Sequence, residues 1–208
     1  MADQPFSHLI HLFSKFPGIG KRQAARFAYF LMDQPIGYIE NLTQSMHHLK
    51  KHLKQCPESF QSFIDPNPDI VLSPLLRDPT RTMRELMVVV RQQDLDAIEN
   101  HGVYKGQYFI LGNMAPMIDT DMEKHVKIRE LESIIKKRGE VTILREVILA
   151  TPANPEGDYT ANIIIGRIKE LCKQSGIKIS RLGRGLSTGS ELEYIDSDTL
   201  SSALSSRS

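Results

Sequence analysis

Seven consecutive residues, Phe16-Pro17-Gly18-Ile19-Gly20-Lys21-Arg22, constrain this chain more than any other stretch. Proline lacks an N–H donor and disfavours helical geometry at the residue before it, so Pro17 predicts the end of a preceding helix. Gly18 and Gly20 admit a tight turn and let the main chain approach a ligand closely. The helix that starts after them presents unpaired N–H groups and the positive end of its dipole, which suit a phosphate. Lys21 and Arg22, with Arg26 one turn on, add counter-charge. The stretch reads as a helix-hairpin-helix that holds a nucleic-acid backbone through Gly18, Gly20, Lys21, Arg22 and Arg26. Such contacts position a protein without reading bases. A glycine turn between two core helices accounts for the same letters without any nucleic acid.

Charge distribution supports the first reading. The net charge of the 208 residues is only +1. Residues 1–56, however, carry seven Lys/Arg against three acids, and the remainder carries 19 against 22. A basic N-terminal module on a mildly acidic remainder fits a nucleic-acid contact confined to one end. A solvated helix face explains Lys50, Lys51 and Lys54 equally well. Cys56 and Cys172 are the only cysteines and stand far apart, so no disulfide framework is indicated. No apolar run is long enough to span a bilayer. The N-terminus MADQPFSHLI has neither the charged start nor the apolar core of a signal peptide. A reducing, cytoplasmic setting is expected.

Three regions follow one another. Residues 6–55 read as helical, with 24–32 apolar on most sides and therefore expected to be well buried. Asp33-Gln34-Pro35 breaks that helix, and Leu42, Met46, Leu49 and Leu53 predict another over 39–55. From 57 to 82 the periodicity dissolves into an irregular insert with Pro66, Pro68, Pro74 and Pro79. Phe60, Phe63, Ile64, Ile70, Val71, Leu72, Leu75 and Leu76 make it too apolar for a disordered linker. From Leu86 onward, short apolar runs at 86–90, 108–112, 147–151 and 177–181 alternate with helical patterns at 127–138 and 160–175, and Asp94 can cap a further helix. That rhythm predicts a parallel sheet covered on both faces. The serine-rich end, 201–208, is expected to fray.

The order of these parts resembles the RecR family of bacterial recombination mediators over nearly the whole chain. LFSKFPGIGKRQAARFAYFLM is similar to its helix-hairpin-helix, and VVVRQQDLDAIENHGVYKGQYFILGNMAPMID to the first half of its Toprim domain. EVILATPANPEGDYTANIIIGRIKEL is similar to the second half, and SRLGRGLSTGSELEYIDSDTLSSAL to the closing segment. The resemblance implies dimers or ring-like tetramers that clamp DNA. It also implies action with RecO and RecF to load RecA onto single strands, and dimer contacts through the N-terminal helices. Phe13, Phe16, Phe27 and Phe30 offer aromatic surface there; ordinary core packing is the alternative.

Two pieces of chemistry that the resemblance would bring are missing from the letters. Catalytic Toprim domains hold Mg²⁺ with a glutamate after the first strand and an aspartate pair after the third. Here Val90 occupies the first position, and Pro152 and Asn154 occupy the pair. Mg²⁺ needs hard oxygen ligands in near-octahedral geometry, and the Val90 side chain cannot bind a metal. Glu156 and Asp158 remain nearby, expected to serve loop structure or an acidic partner surface. RecR proteins also usually carry a four-cysteine zinc finger. By spacing its positions fall on Cys56, Ser59, Ser73 and Leu76, and one thiolate cannot build a tetrahedral site. No metal cofactor is therefore expected, with a small hydrophobic cluster in its place. His48, His52 and Cys56 at helical spacing form a competing but incomplete metal set.

The expectation is an α/β protein in four parts: a helix-hairpin-helix domain at 1–55, a degenerate insert at 56–83, a Toprim-like domain at 84–181 and an assembly segment at 182–208. The expected role is a non-enzymatic, sequence-independent DNA clamp that forms a homodimer or homotetramer ring, contacts no membrane and is associated with the nucleoid. The rival is an active Mg²⁺-dependent phosphotransferase or nuclease of the Toprim type.

Overall fold

In a computed structural model of the chain, residues 4–116, 126–141 and 143–183 are described. The chain divides into two compact units, Met1–Leu53 and Lys54–Ser208. The insert expected over 56–83 falls within the second, and most of the expected closing segment lies outside the described residues.

The first unit is helical, with α1 (Gln4–Phe13), α2 (Lys21–Met32) and α3 (Ile36–His52). Helix α1 stops at Phe13, where the Ser14 hydroxyl turns back on the His11 carbonyl at 2.8 Å. Pro17 therefore lies in the connecting turn and does not itself end α1. Edge-to-face packing of Phe13 on Phe27 at 5.8 Å and a tilted contact of Phe6 with Tyr29 at 4.8 Å join α1 to α2. Asp33 closes α2, and Pro35 precedes α3 with the φ of −64° that its ring imposes. The expected burial of 24–32 does not hold. Among the described residues of this unit only Ala24 and Ala28 are buried, while Tyr29, Phe30 and Met32 stand more than half exposed. Three short helices enclose too little volume to cover a helix that is apolar nearly all round.

Helix α3 ends three residues earlier than its apolar spacing suggested, and the chain passes into β1 (Leu53–Gln55), paired with β2 (Ser62–Ile64). A single helical turn, α4 (Pro74–Arg77), follows, capped by the Ser73 hydroxyl. The insert's apolar residues do not form the cluster expected of them. Ile64 and Val71 are exposed, and Phe60 instead packs on Phe109 of the sheet at 5.3 Å.

The remaining elements are β3 (Glu85–Val89), α5 (Gln92–His101), β4 (Gln107–Ile110), α6 (Ile128–Glu140), β5 (Glu146–Ala150), α7 (Pro155–Gln174) and β6 (Lys178–Arg181). The four strands from β3 onward run parallel in the order β4-β3-β5-β6, with Val88 level with Phe109 on one side and Leu149 on the other. One face carries Leu86, Val88, Phe109 and Val147 against Leu131 and Ile135 of α6 and Ile164 and Ile168 of α7. The other carries Met87, Val89, Tyr108 and Ile110 against Leu95 of α5. Runs such as Leu86-Met87-Val88-Val89 lack alternation because both faces are covered.

Candidate nucleic-acid interface

The turn before α2 is built by local backbone geometry. Gly18 adopts φ +75°, a conformation open to glycine at no steric cost, and the Ile19 N–H returns to the Phe16 carbonyl at 3.0 Å. Gly20 is the N-cap, with extended φ/ψ and no side-chain oxygen to offer the helix. The first helical bond runs from the Ala24 N–H to the Gly20 carbonyl, so the three preceding N–H groups have no partner within α2. No acid occupies this first turn. Lys21, Arg22 and Arg26 are all exposed, and Arg26 lies 3.5 Å from the Gln23 side-chain oxygen. The fold thus gathers all five residues singled out by the sequence, with Gly18, Gly20, Lys21 and Arg22 at the turn and Arg26 one turn along. Open N–H groups, a helix dipole and three exposed cations together favour an anionic ligand such as a phosphate backbone over a neutral one.

A second feature of the helical unit gave no distinct signal in the letters. Leu9, Leu12, Phe16, Leu31, Leu42 and Met46 are among the residues that line an apolar groove of about 690 Å³ among the three helices. Periodicity shows that a face is apolar; it does not show whether the chain's own helices cover it. Phe13 and Phe27 pack on each other, whereas Phe16 and Phe30 are about half exposed.

In the sheet unit, the end of β3 is where a catalytic Toprim domain places its glutamate. Val90 stands there, fully buried, followed by exposed Arg91. Glu156 and Asp158 lie in the first turn of α7 and not in a loop as expected. Asn154 caps that helix by accepting the Gly157 N–H at 2.8 Å, with Pro155 at the first helical position. Gly157 sits so close to the Pro152 carbonyl that a Cβ would come within 2.0 Å of it. Both acids face the positive end of the helix dipole, and Asp158 also pairs with Arg181 at 3.5 Å. Glu156 shares a shallow pocket of about 310 Å³ with Arg91, Asn113, Met114 and Pro116. A buried valine and an arginine in place of the first carboxylate do not fit Mg²⁺. Among the described residues no three acids, histidines or cysteines converge.

The other metal set also separates. The His48 and His52 rings lie 4.5 Å apart and tilted by 49°, but α3 ends at His52, so the helical spacing does not continue to Cys56. Cys56 is buried with Ser59 and Ser73 around it. Burial opposes ionisation of its thiol, yet the Ser59 hydroxyl and the N–H groups of Ser73, Ser59 and Glu58 together hold it below its ordinary range. One thiol, two hydroxyls and the aliphatic Leu76 do not fit zinc.

A helix-hairpin-helix unit followed by a parallel Toprim sheet defines the class of protein. The family model described as RecR, helix-hairpin-helix matches residues 6–50, that for the Toprim domain matches 84–183, and that for the RecR C-terminal region matches 185–208. The chain is 34% identical to the recombination protein RecR of Lactobacillus acidophilus, over 98% of this chain and 96% of that one. It is 35% identical to that of Chloroflexus aggregans over 98% and 93%, and 36% identical to that of Dehalococcoides mccartyi over 96% and 91%. The chain belongs to the RecR family. Among the described residues no helix is long and apolar enough to cross a membrane.

Proposed function

We propose that this chain is a recombination mediator that clamps DNA without reading its sequence, and that its Toprim unit performs no chemistry. The observation that carries this reading is the uncapped start of α2, where the first N–H groups have no partner within the helix and Lys21, Arg22 and, one turn on, Arg26 are exposed. Gly18 and Gly20 bring the main chain to the sugar-phosphate strand, and Lys21, Arg22 and Arg26 neutralise phosphates. The buried Val90 supports an inert Toprim unit, because the carboxylate that would anchor a metal is replaced by a side chain with no donor atom.

Self-association belongs to the same proposal. The occupant of the apolar groove among α1, α2 and α3 is a second copy of this chain, as the family resemblance implies, with half-exposed Phe16 in its lining. A dimer or a tetrameric ring makes each subunit's weak grip intramolecular after the first, which raises affinity without any new contact. RecO-like and RecF-like proteins are the expected partners in loading RecA, with the acidic Glu156 and Asp158 as a partner surface, in the cytoplasm close to the nucleoid.

Equilibrium binding to two unrelated DNA sequences across a range of salt tests the reading. The expected result is equal affinity for both and a logarithmic salt slope that falls by about one for each of Lys21→Ala, Arg22→Ala and Arg26→Ala. Unchanged slopes in all three variants would remove α2 from the interface. Magnesium-dependent cleavage lost on Glu156→Gln would replace the clamp with an enzyme.

A further inference from the structure

Two short turns, 56–59 and 73–76, sit at the positions where relatives are expected to hold zinc, and both persist here with a different set of bonds. In the first, the Phe60 N–H bonds the Cys56 carbonyl at 2.9 Å, and the Cys56 N–H bonds the Gln61 carbonyl at 2.9 Å. The Ser59 hydroxyl oxygen accepts the Gln61 N–H at 3.3 Å. In the second, the Ser73 hydroxyl accepts the Leu76 N–H at 3.4 Å, and its carbonyl accepts the Leu76 and Arg77 N–H groups, each at 3.1 Å. The two turns meet where the Ser59 and Ser73 hydroxyls lie 3.5 Å apart, fourteen residues distant in sequence. Cys56, Ser59 and Ser73 are at most 3% exposed. Serine is seldom that buried unless it is hydrogen-bonded, so these hydroxyls hold the turns as a connected polar knot.

Further bonds fix the first turn against β4 and α6 and close the loop between the two turns. The Lys54 ammonium donates to the Asn67 and Ile70 carbonyls, and so ties β1 to the far arm of the loop. The Ser59 carbonyl accepts the Ile110 N–H at 2.9 Å at the end of β4. Glu58 reaches Lys137 at 2.8 Å and the buried Arg138 at 3.5 Å on α6. Phe60 adopts φ +57°, a left-handed conformation that costs a bulky residue energy. Its ring is fixed against Phe109 and under the Lys127 ammonium, 5.2 Å from the ring centre.

We infer that this chain has exchanged a metal-held knuckle for a hydrogen-bonded one, so that residues 56–76 fold without zinc while keeping the backbone geometry that places four side chains around one point. The inference does not depend on the clamp reading. It makes Ser59 and Ser73 structural equivalents of ligands, and it makes the knuckle's integrity independent of zinc supply and chelation.

The test uses the full chain. Metal analysis of the purified protein is expected to show zinc well below one per chain, and a chelator is expected to leave its melting temperature unchanged. Stoichiometric zinc, or a chelator-induced drop in melting temperature, overturns the inference. The triple variant Ser59→Cys, Ser73→Cys, Leu76→Cys is expected to bind about one zinc per chain and to become chelator-sensitive. A folded triple variant that takes up no zinc shows that the four positions do not converge, and overturns the retained geometry. Single Ser59→Ala and Ser73→Ala variants provide a readout that needs no engineered site. Each is expected to lower the melting temperature, and no change in either overturns the hydrogen-bonded knot.

Discussion

The two units manage apolar surface in opposite ways. In the helical unit, Tyr29, Phe30, Met32 and Ile36 each leave more than half of their surface open, and among its described residues only two alanines are buried. In the sheet unit, Leu86, Val88, Phe109 and Ile135 are completely covered by elements of the same unit. A parallel sheet with helices on both faces closes its own core. Three helices joined by short turns do not, and the surface they leave open exceeds the scattered apolar residues of an ordinary monomer. The contrast teaches that the sheet unit closes its own core, whereas the helical unit leaves apolar surface open, as the self-association proposed above requires. The unit that carries the candidate DNA contacts is thus also the one expected to assemble.

A pair of matched substitutions strains this contrast most. Phe109→Ala should cost the sheet unit about 3–5 kcal/mol in denaturant unfolding, because it empties a fully packed site. Phe30→Ala, measured at a concentration where the chain is monomeric, should cost less than about 1 kcal/mol, because little burial is lost. Comparable losses would mean that the helical unit has a core of its own. Next in size is assembly: Met46→Lys, in the exposed lining of the groove, should lower the solution mass toward the 23.6 kDa of one chain without shifting the sheet unit's transition. An unchanged mass would move the self-association surface elsewhere.

Asn154→Ala should then destabilise the sheet unit by about 1 kcal/mol, the usual worth of a helix cap, with no effect on DNA binding. The smallest expected effect is a response to alkaline pH. The Tyr108 phenol is buried and donates to Glu99 at 2.6 Å; burial first, then Glu99, raises its ionisation well above the ordinary 10.0. Burial, then Glu85, does the same to Tyr104. The folded state keeps these protons while the unfolded chain releases them near pH 10.0. Their contribution is therefore complete below that pH and declines as pH rises toward the folded values. Melting temperature against pH should fall more steeply above pH 10 for the native chain than for Tyr108→Phe.

Much of the fold was legible because its signals are local. Unbroken apolar runs of strand length marked β3 and β4, and Gly18 and Gly20 marked the turn before α2. The start of α7 was read five residues late, at Thr160, although Asn154-Pro155 is a cap followed by a proline at the first helical position, a signal present in the letters. The short β1 and β2 were missed because three residues carry no periodicity. The insert was misread for a different reason. Its composition suggested an apolar cluster, but Ile64 and Val71 face solvent, Phe60 packs on the sheet, and Ser59, Gln61 and Ser73 are buried beside Cys56 and Phe63. The groove in the helical unit was not legible at all, because a helix apolar nearly all round has the same sequence whether its own chain or another covers it.

What the sequence by itself determined are matters of covalent chemistry and local geometry. Val90 has no side-chain oxygen for Mg²⁺, Ser59, Ser73 and Leu76 have no thiolate for zinc, and Gly20 has no side chain with which to cap α2. What only the tertiary structure decided is which distant groups meet: Ser59 with Ser73, Glu58 with Arg138, Glu99 with Tyr108. Those meetings depend on how the chain closes its loops and where burial removes water, and both are properties of the packed whole that no short stretch of residues encodes.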